Sequence, residues 1–507
     1  MTIAAPPITA VPAITLRIAG AELEPELHAA LTCVRVRREA SAPAACALTF
    51  EASAAGPALE EALAPGTEVD VRVDSFSDPL FVGDVLVLER RFRPDSTAQI
   101  IARCHDRSHR MRSVSRLRVF VDVTVADLAR DLADDAGLQV EAAASGPRMA
   151  RLVQDGRSSL DMLTHVTRRA GMWWQVDPDG YRLRLFGREG TGEESTVALG
   201  EHLIEASVTS SSLASHGGWR VVGWDPGSGD VTDTSAPSEV FSGDGMIAEQ
   251  GMVASAERAE AMAQGLAADD DAGARVVRAV VHGDPALAPG HGLVVDGLTP
   301  GADGRYLVLV ADHRMETSTG YTCAVSSAPP EHLRLRQGWG RPDAEGASVT
   351  VGEVVRVDDP SGLGRVRVAL TTYDGLESEW MPVLALGAGE AKGLSVQPDV
   401  GDRVVVAHDR SDPASGIVLG SLRTSDGGEP GVGVVDGAVG AYGLRLPTGQ
   451  MLRISGEADS VVVANAAGSR LELSEGGIVV HSEGDLVLEA PGRVLRLRAK
   501  AIEMEQA

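Results

Sequence analysis

Between Gly440 and Ala507 one small unit recurs: two apolar residues with a single residue between them. The pairs are Val461/Val463, Leu471/Leu473, Ile478/Val480, Leu486/Leu488, Leu495/Leu497 and Ile502/Met504. Each has the alternation of a strand with one buried face. Gly, Ser, Asn, Asp and Pro stand between the pairs and turn the chain. The step from pair to pair is roughly seven to ten residues, the cadence of a solenoid or an interleaved β-structure. No helix in the stretch can cover the apolar faces, and the strands are too short for a two-sheet sandwich. The apolar side chains on offer are too few to offset the backbone entropy of ordering the stretch. Ladder hydrogen bonds narrow that gap only modestly. The missing faces are therefore expected from other copies of the same chain, closed by symmetry. The expectation is an obligate, threefold β-needle, on whose symmetry the rest of the chain must sit.

With 507 residues, several domains are expected. Aromatics are only 4%, so the cores must rest on Val, Leu, Ala and Ile. The net charge of −26 argues against general nucleic-acid binding and against docking on anionic membranes. Cys33, Cys46, Cys104 and Cys323 form no CxxC and have no zinc spacing, so buried free thiols made in a reducing compartment are expected. The N-terminus has no basic region and is broken by prolines, so no signal peptide is expected. No apolar run is long enough to span a membrane.

Read in order, residues 13–50 alternate apolar and polar, and further strands follow to Cys104, as in a small barrel. Thr124 to Gly137 has helical spacing, with Thr124 as N-cap and Gly137 as stop. A second helix runs from about Ser159 to Ala170, before Gly171, and a hairpin follows it. Residues 200–335 repeat the theme of strands plus one helix, here Ser255–Asp271, with Met262 and Leu266 on its apolar side. Residues 349–422 hold five strand patterns, Val349–Val357, Gly364–Leu370, Glu379–Val383, Asp402–Ala407 and Gly416–Leu422, which suit an OB barrel. The expected division is 1–199 β-barrel with a helical and hairpin insertion, 200–335 second β-barrel, 336–348 linker, 349–422 OB domain, 423–439 Gly-rich linker and 440–507 trimeric β-helix.

The OB stretch carries Asp359-Pro360, then Gly362-Leu363-Gly364-Arg365-Val366, then Trp380, Pro398-x-Val400-Gly401-Asp402, Asp412-Pro413 and Val418-Leu419-Gly420-Ser421-Leu422. In order and spacing it resembles the OB domain of contractile-injection spike proteins, the group of type VI VgrG and the phage-tail central spike. Cys104-His105-Asp106-Arg107-Ser108-His109-Arg110-Met111, Phe120 to Ala129, Gly223-Trp224-Asp225-Pro226 and Gly283-x-Pro285-x-Leu287-x-Pro289-Gly290 resemble the hub module of the same group. The resemblance covers nearly the whole chain. It implies a mainly β, multidomain homotrimer with two hub β-barrels and inserted helices, an OB barrel and an intertwined triple-stranded β-helix needle. Such a trimer adapts a hexameric tube to a threefold spike. The T-even phage spike has a lysozyme domain between OB barrel and needle, where this chain has only residues 423–439; extended VgrG proteins carry an effector after the needle, where this chain stops at Ala507. Its compact form resembles the spike of extracellular, phage-tail-like systems more than type VI VgrG.

Several residues invite chemistry. His105-Asp106-x-x-His109 and His408-Asp409 have the types of a metal or acid–base site, but Arg103, Arg107, Arg110 and Arg112 crowd the first, which disfavours a cation, and the second ends a strand. Both are expected to be structural. The Arg-rich run 103–118 lacks interleaved aromatics, so ion pairing or an interface is expected there rather than nucleic acid. Ser361-Gly362-Leu363-Gly364 is not a P-loop, no GxSxG occurs, and no Ser/His/Asp set is evident.

The expected function is thus a non-catalytic piercing spike of a contractile injection system, with no cofactor and no metal. The alternatives are a type VI VgrG, an envelope-degrading spike enzyme and an OB-type nucleic-acid binder. The resemblance implies a PAAR-type tip protein bound at Ile502, Met504, Glu505, Gln506 and Ala507. It also implies inner-tube and baseplate proteins at the hub, with cargo as a further partner. Assembly is expected in the bacterial cytoplasm, with no stable membrane association before firing.

Overall fold

The computed structural model describes residues 12–505, apart from 53–55, 75, 95, 213–215, 225–230, 253–255, 317–319, 331–347, 390–391, 409–412, 414–415, 423–433, 436 and 457. Most of both expected linkers, and Asp225, Pro226, Asp409, Asp412, Gln506 and Ala507, therefore lie outside the described residues. The chain divides into two compact units, Met1–Leu422 and Arg423–Ala507.

An eleven-stranded sheet organises the first unit. Its spatial order is Leu203–Ser210, Arg275–His282, Gly320–Ser326, Val310–Glu316, Leu31–Glu39, Ala45–Glu51, Ser96–His105, Pro79–Arg93, Glu68–Val73, Ile14–Ile18 and Ala21–Glu22. Leu31–Glu39 runs antiparallel to Val310–Glu316, with Cys33 opposite Glu316 and Glu39 opposite Val310. One ladder thus joins strands from both stretches that read as barrels. Two cores lie on it: Leu16, Leu48, Phe50, Val71 and Ile100 in one, and Val197, Val277, Leu293 and Val308 in the other. Cys46 and Cys104 face each other across paired strands, both buried and neither in a disulfide. Burial pushes the Cys46 thiol well up.

The inserted helices begin where the sequence places them. Thr124 Oγ1 accepts from the Asp127 amide at 3.1 Å, and the Asp127 carboxylate accepts from the Thr124 amide at 3.1 Å, a capping box for Val125–Asp134. Ser158 caps Ser159–Arg169, and Gly137 and Gly171 follow the two helices with φ of 68° and 64°. The third helix is Ala256–Ala274. Its buried stripe is Ala259, Ala263 and Ala267, packed with Val221, Ala236 and Ala248, while Met262 and Leu266 are only partly buried. Small residues win that face because the backbones come close. On the other side of the helix Gly265 meets Gly171, and a Cβ on Gly265 would lie 2.8 Å from the Gly171 amide nitrogen and 2.9 Å from its Cα. Gly265→Val is expected to cost about 1–3 kcal/mol by overpacking. Thermal denaturation reads this, and an unchanged midpoint would show that the helices are free to part.

The OB region pairs Leu376–Glu377, Arg367–Leu370, Ser348–Arg356, Arg403–His408 and Gly416–Ser421 in that order. Val354, Val366, Val368, Leu370, Met381, Val404, Val406 and Val418 form its buried core. The expected strand Glu379–Val383 is reduced to isolated bridges, Val366 with Met381 and Val383 with Val418. The reason is local: Ser378 Oγ takes the Val368 amide at 2.9 Å, and Pro382 has no amide proton to donate.

In the second unit Ala441–Arg445, Met451–Ser455, Ser460–Ala464, Arg470–Ser474 and Gly477–His481 form an antiparallel meander, each strand beside the next in sequence. The pairs at Val461, Leu471 and Ile478 lie on these strands. Those at Leu486, Leu495 and Ile502 form no strand within one chain. They follow the last strand of the meander and have no ladder partner among the described residues of their own chain.

Candidate functional site

The C-terminal sheet has two unlike faces, set by its register. Residues directly opposite on neighbouring strands share a face. One row across all five strands is Tyr442, Ile454, Val461, Leu473 and Ile478; the next is Leu444, Leu452, Val463, Leu471 and Val480. Every member is apolar. The opposite face carries Arg453, Glu472, Arg445, Arg470 and His481 among smaller residues. Among the described residues of the second unit nothing covers the apolar face. Among the described residues of 437–505 only Ala441 and Ser455 are buried, and no large apolar residue there is. Met504, within the expected tip set, is 86% exposed; Ile502 and Glu505 are exposed as well. A contiguous apolar face of this size marks an interaction surface.

The OB motif has a structural task. Asp359 accepts from the amides of Ser361 and Leu363 at 3.0 Å each and of Arg365 at 3.3 Å, and from the Arg365 guanidinium at 2.8 and 3.0 Å. The Arg365 guanidinium, then these amides, hold its carboxyl well below the usual carboxylate range. Pro360 opens the turn, and Gly362 and Gly364 supply φ of 66° and 68°. Asp402 accepts from the Asp399 amide at 2.9 Å beside Gly401, whose φ is 90°. Gly420, at φ 150°, lies beside a register shift in the last ladder. Trp380 is half-buried with the Arg356 and Arg367 guanidinium carbons 5.5 and 5.3 Å from its ring centroid. These residues build loops and a cation-flanked ring, not a pocket.

The His105–His109 turn is likewise a joint. Buried Asp106 accepts from the Ala44 amide at 2.6 Å and from the Ser108 amide at 2.8 Å. Asp84 from the neighbouring strand accepts from His109 Nε2 at 2.8 Å and from both ends of Arg110 at 2.9 Å. Burial lowers the His105 pKa and raises that of Asp106. The two histidines are thus not brought onto one ligand position, and no cluster of three or more His, Cys, Asp or Glu with metal-holding geometry occurs among the described residues. The Arg run is ion-paired: Arg103 with Glu89, Arg107 with Glu68, Arg110 with Asp84, and Arg116 and Arg118 with Asp135. His408 is buried edge-on to Tyr373.

One constellation escaped the sequence reading. Ser195 Oγ and His291 Nε2 share a hydrogen bond of 2.8 Å, and Glu193 lies 3.8 Å from His291 Nδ1. The residues are far apart in sequence in part, and no short motif could have flagged them. Ser195 and His291 are both buried, and neither the 820 Å³ nor the 210 Å³ cavity of the hub is lined by either. The pair fastens the parallel strands Glu194–Ala198 and Gly292–Asp296.

These observations define a mainly β, multidomain protein with an OB barrel and an uncovered apolar sheet. Residues 350–422 match the family model described as the type VI secretion system/phage-baseplate injector OB domain. Residues 45–275 match a model for the Alg8 N-terminal domain, a stretch that begins and ends on strands of the eleven-stranded sheet. No curated protein matches the sequence. The structure is similar to a chain of the lidded Francisella PdpA-VgrG complex (TM-score 0.55, 8% identity, 93% of this chain and 81% of that one). It is also similar to the E. coli c3393 protein, a type VI secretion component with structural similarity to T4 tail proteins gp27 and gp5 (TM-score 0.52, 13% identity, 80% and 99%). A 43 kDa tail protein of prophage MuSo2 from Shewanella oneidensis covers less (TM-score 0.50, 15% identity, 62% and 97%). The chain therefore has the fold of VgrG and phage-tail spike proteins, and its residues 350–422 match the injector OB domain.

Proposed function

We propose that the protein is the non-catalytic, homotrimeric hub-spike of a contractile injection machine. The carrying observation is the ten-residue apolar face of the C-terminal sheet, which one chain leaves in water. Three copies that turn this face inward bury it, and the unpaired alternating segments after His481 then find strand partners in neighbouring chains. That arrangement is the intertwined needle of residues 440–507, which follows in the chain the hub barrels 1–199 and 200–335 and the OB domain 349–422, with linkers 336–348 and 423–439. The mechanism is mechanical. Sheath contraction drives tube and spike forward, and a needle of interleaved strands resists local unfolding because no chain leaves without breaking ladders with two others. Exposed Ile502, Met504 and Glu505, with Gln506 and Ala507, seat a PAAR-type tip protein. The hub meets the inner tube and baseplate, and the particle, of the extracellular phage-tail-like kind, is assembled in the bacterial cytoplasm.

Native mass measurement of the whole protein tests the reading. A trimer is expected, and a monomer at working concentration would sink it. Removing the residues after Thr424 is expected to weaken the trimer and abolish tip-protein binding; unchanged assembly and binding would show that the needle does not hold the copies together.

A further inference from the structure

Two acid-free runs of the chain hold four or more Arg or Lys residues: Arg107 to Arg118, and Arg493 to Lys500. Their surroundings differ. In the first, four arginines pair with Glu68, Asp84 and Asp135. In the second, Arg493, Arg496, Arg498 and Lys500 are all exposed, and none forms an ion pair among the described residues. Glu489 and Glu503 bound this run, with no acid between them. It is thus an unneutralised basic band near the end of a chain whose net charge is −26.

Alternation sorts the band. In an extended segment Leu495 and Leu497 fall on one side and Arg496, Arg498 and Lys500 on the other. On the threefold reading above, on which this inference rests, the leucines turn inward and three copies set the cations around the needle. We propose that this band docks on anionic lipid headgroups, where it engages phosphate as the needle meets a membrane. Overall charge does not forbid this, because charges more than about 8 Å away are screened at physiological ionic strength and the local sign governs. Clustered Lys and Arg beside an anionic leaflet are attracted in this way, and guanidinium forks match phosphate oxygens. A membrane penetrated by the needle meets the band on every side, which suits cations repeated around an axis. No aromatic residue lies between Arg493 and Glu505 to stack a base, so a nucleic acid fits less well.

The test uses the whole protein, its trimeric state first confirmed by native mass, and flotation with vesicles of phosphatidylcholine alone or with phosphatidylglycerol. Binding is expected only to the anionic vesicles and is expected to fall steeply with salt. The variant Arg496→Glu/Arg498→Glu/Lys500→Glu is expected to lose at least about tenfold in vesicle binding while its mass stays that of a trimer. The milder Arg496→Gln/Arg498→Gln/Lys500→Gln should fall between. Equal binding to neutral vesicles, or no loss in the variants, overturns the proposal. So does a variant that dissociates, which would show that the cations pair between subunits, and so does displacement of the vesicles by a single-stranded oligonucleotide at equal charge. A wild-type monomer in the first measurement instead refutes the threefold reading, which keeps the two failures apart.

Discussion

A chain carrying Val463→Asp and Leu473→Asp is expected to run as a monomer in native mass measurement, where the parent runs as a trimer. Val463 lies between Leu452 and Leu471 in one apolar row, and Leu473 between Val461 and Ile478 in the other. Both side chains are solvent-exposed in the single chain, so the substitutions leave its own packing intact. In an assembly that buries the face, each copy would have to desolvate two unpaired carboxylates. Burial of even one unpaired polar group costs roughly 2–7 kcal/mol, and a charge costs more. Two per copy exceed what a symmetric interface of this size can absorb. Val462 and Glu472, on the opposite face, supply the control: Val462→Asp is expected to leave the mass unchanged. If both variants remain trimeric, the apolar face is covered by something other than its copies.

The hub is expected to lose stability in acid through His313. That ring is fully buried, with Nε2 donating to the Leu287 carbonyl at 2.9 Å and Nδ1 facing the Tyr321 hydroxyl at 3.0 Å. Burial, and then the nearby Arg38 guanidinium, lower its pKa to about 4. The unfolded chain therefore takes up the proton first. His313 contributes its full stabilisation above pH about 6.5, and loses it as pH falls from there to about 4, an effect of about 3 kcal/mol. Asp269 works the other way. Burial raises its carboxyl to about 7, so the folded state takes up that proton first and gains as pH falls from 7 towards the ordinary range. The two partly cancel. Asp269→Asn removes the compensation, and its thermal midpoint is expected to fall more steeply between pH 7 and 4 than that of the parent. Parallel profiles would show that the Asp269 carboxyl is not raised in the folded state. An imidazole NMR signal that stays neutral at mildly acidic pH checks His313 directly.

Where local chemistry decides, the chain could be read residue by residue. Thr124 and Asp127 announce a capping box because the cap needs only neighbours in sequence. Asp359 to Arg365 announces its loop for the same reason: all of its donors lie within six residues. The alternation of Val461/Val463 and Leu471/Leu473 announced strands, and the register then placed them on one face. Other features depend on long-range approach and left no local trace. Met262 and Leu266 looked like the apolar side of their helix, but Ala259, Ala263 and Ala267 are the residues that pack against Val221, Ala236 and Ala248. Glu379–Val383 looked like a strand, but a serine side chain and a proline break its ladder. Ser195 meets His291 across 96 residues.

The sequence by itself determined that this is a mainly β chain with an OB barrel and an end that cannot bury its own apolar residues, because alternation, turn residues and composition are properties of short stretches. Only the tertiary structure decided that one ladder joins the two hub halves, that the hub arginines are spent on ion pairs, and that the apolar pairs gather on one uncovered face. Those outcomes depend on which strands pair and in what register. Register is set by the packing of the whole, and a shift of one residue would have turned every one of those side chains to the other face.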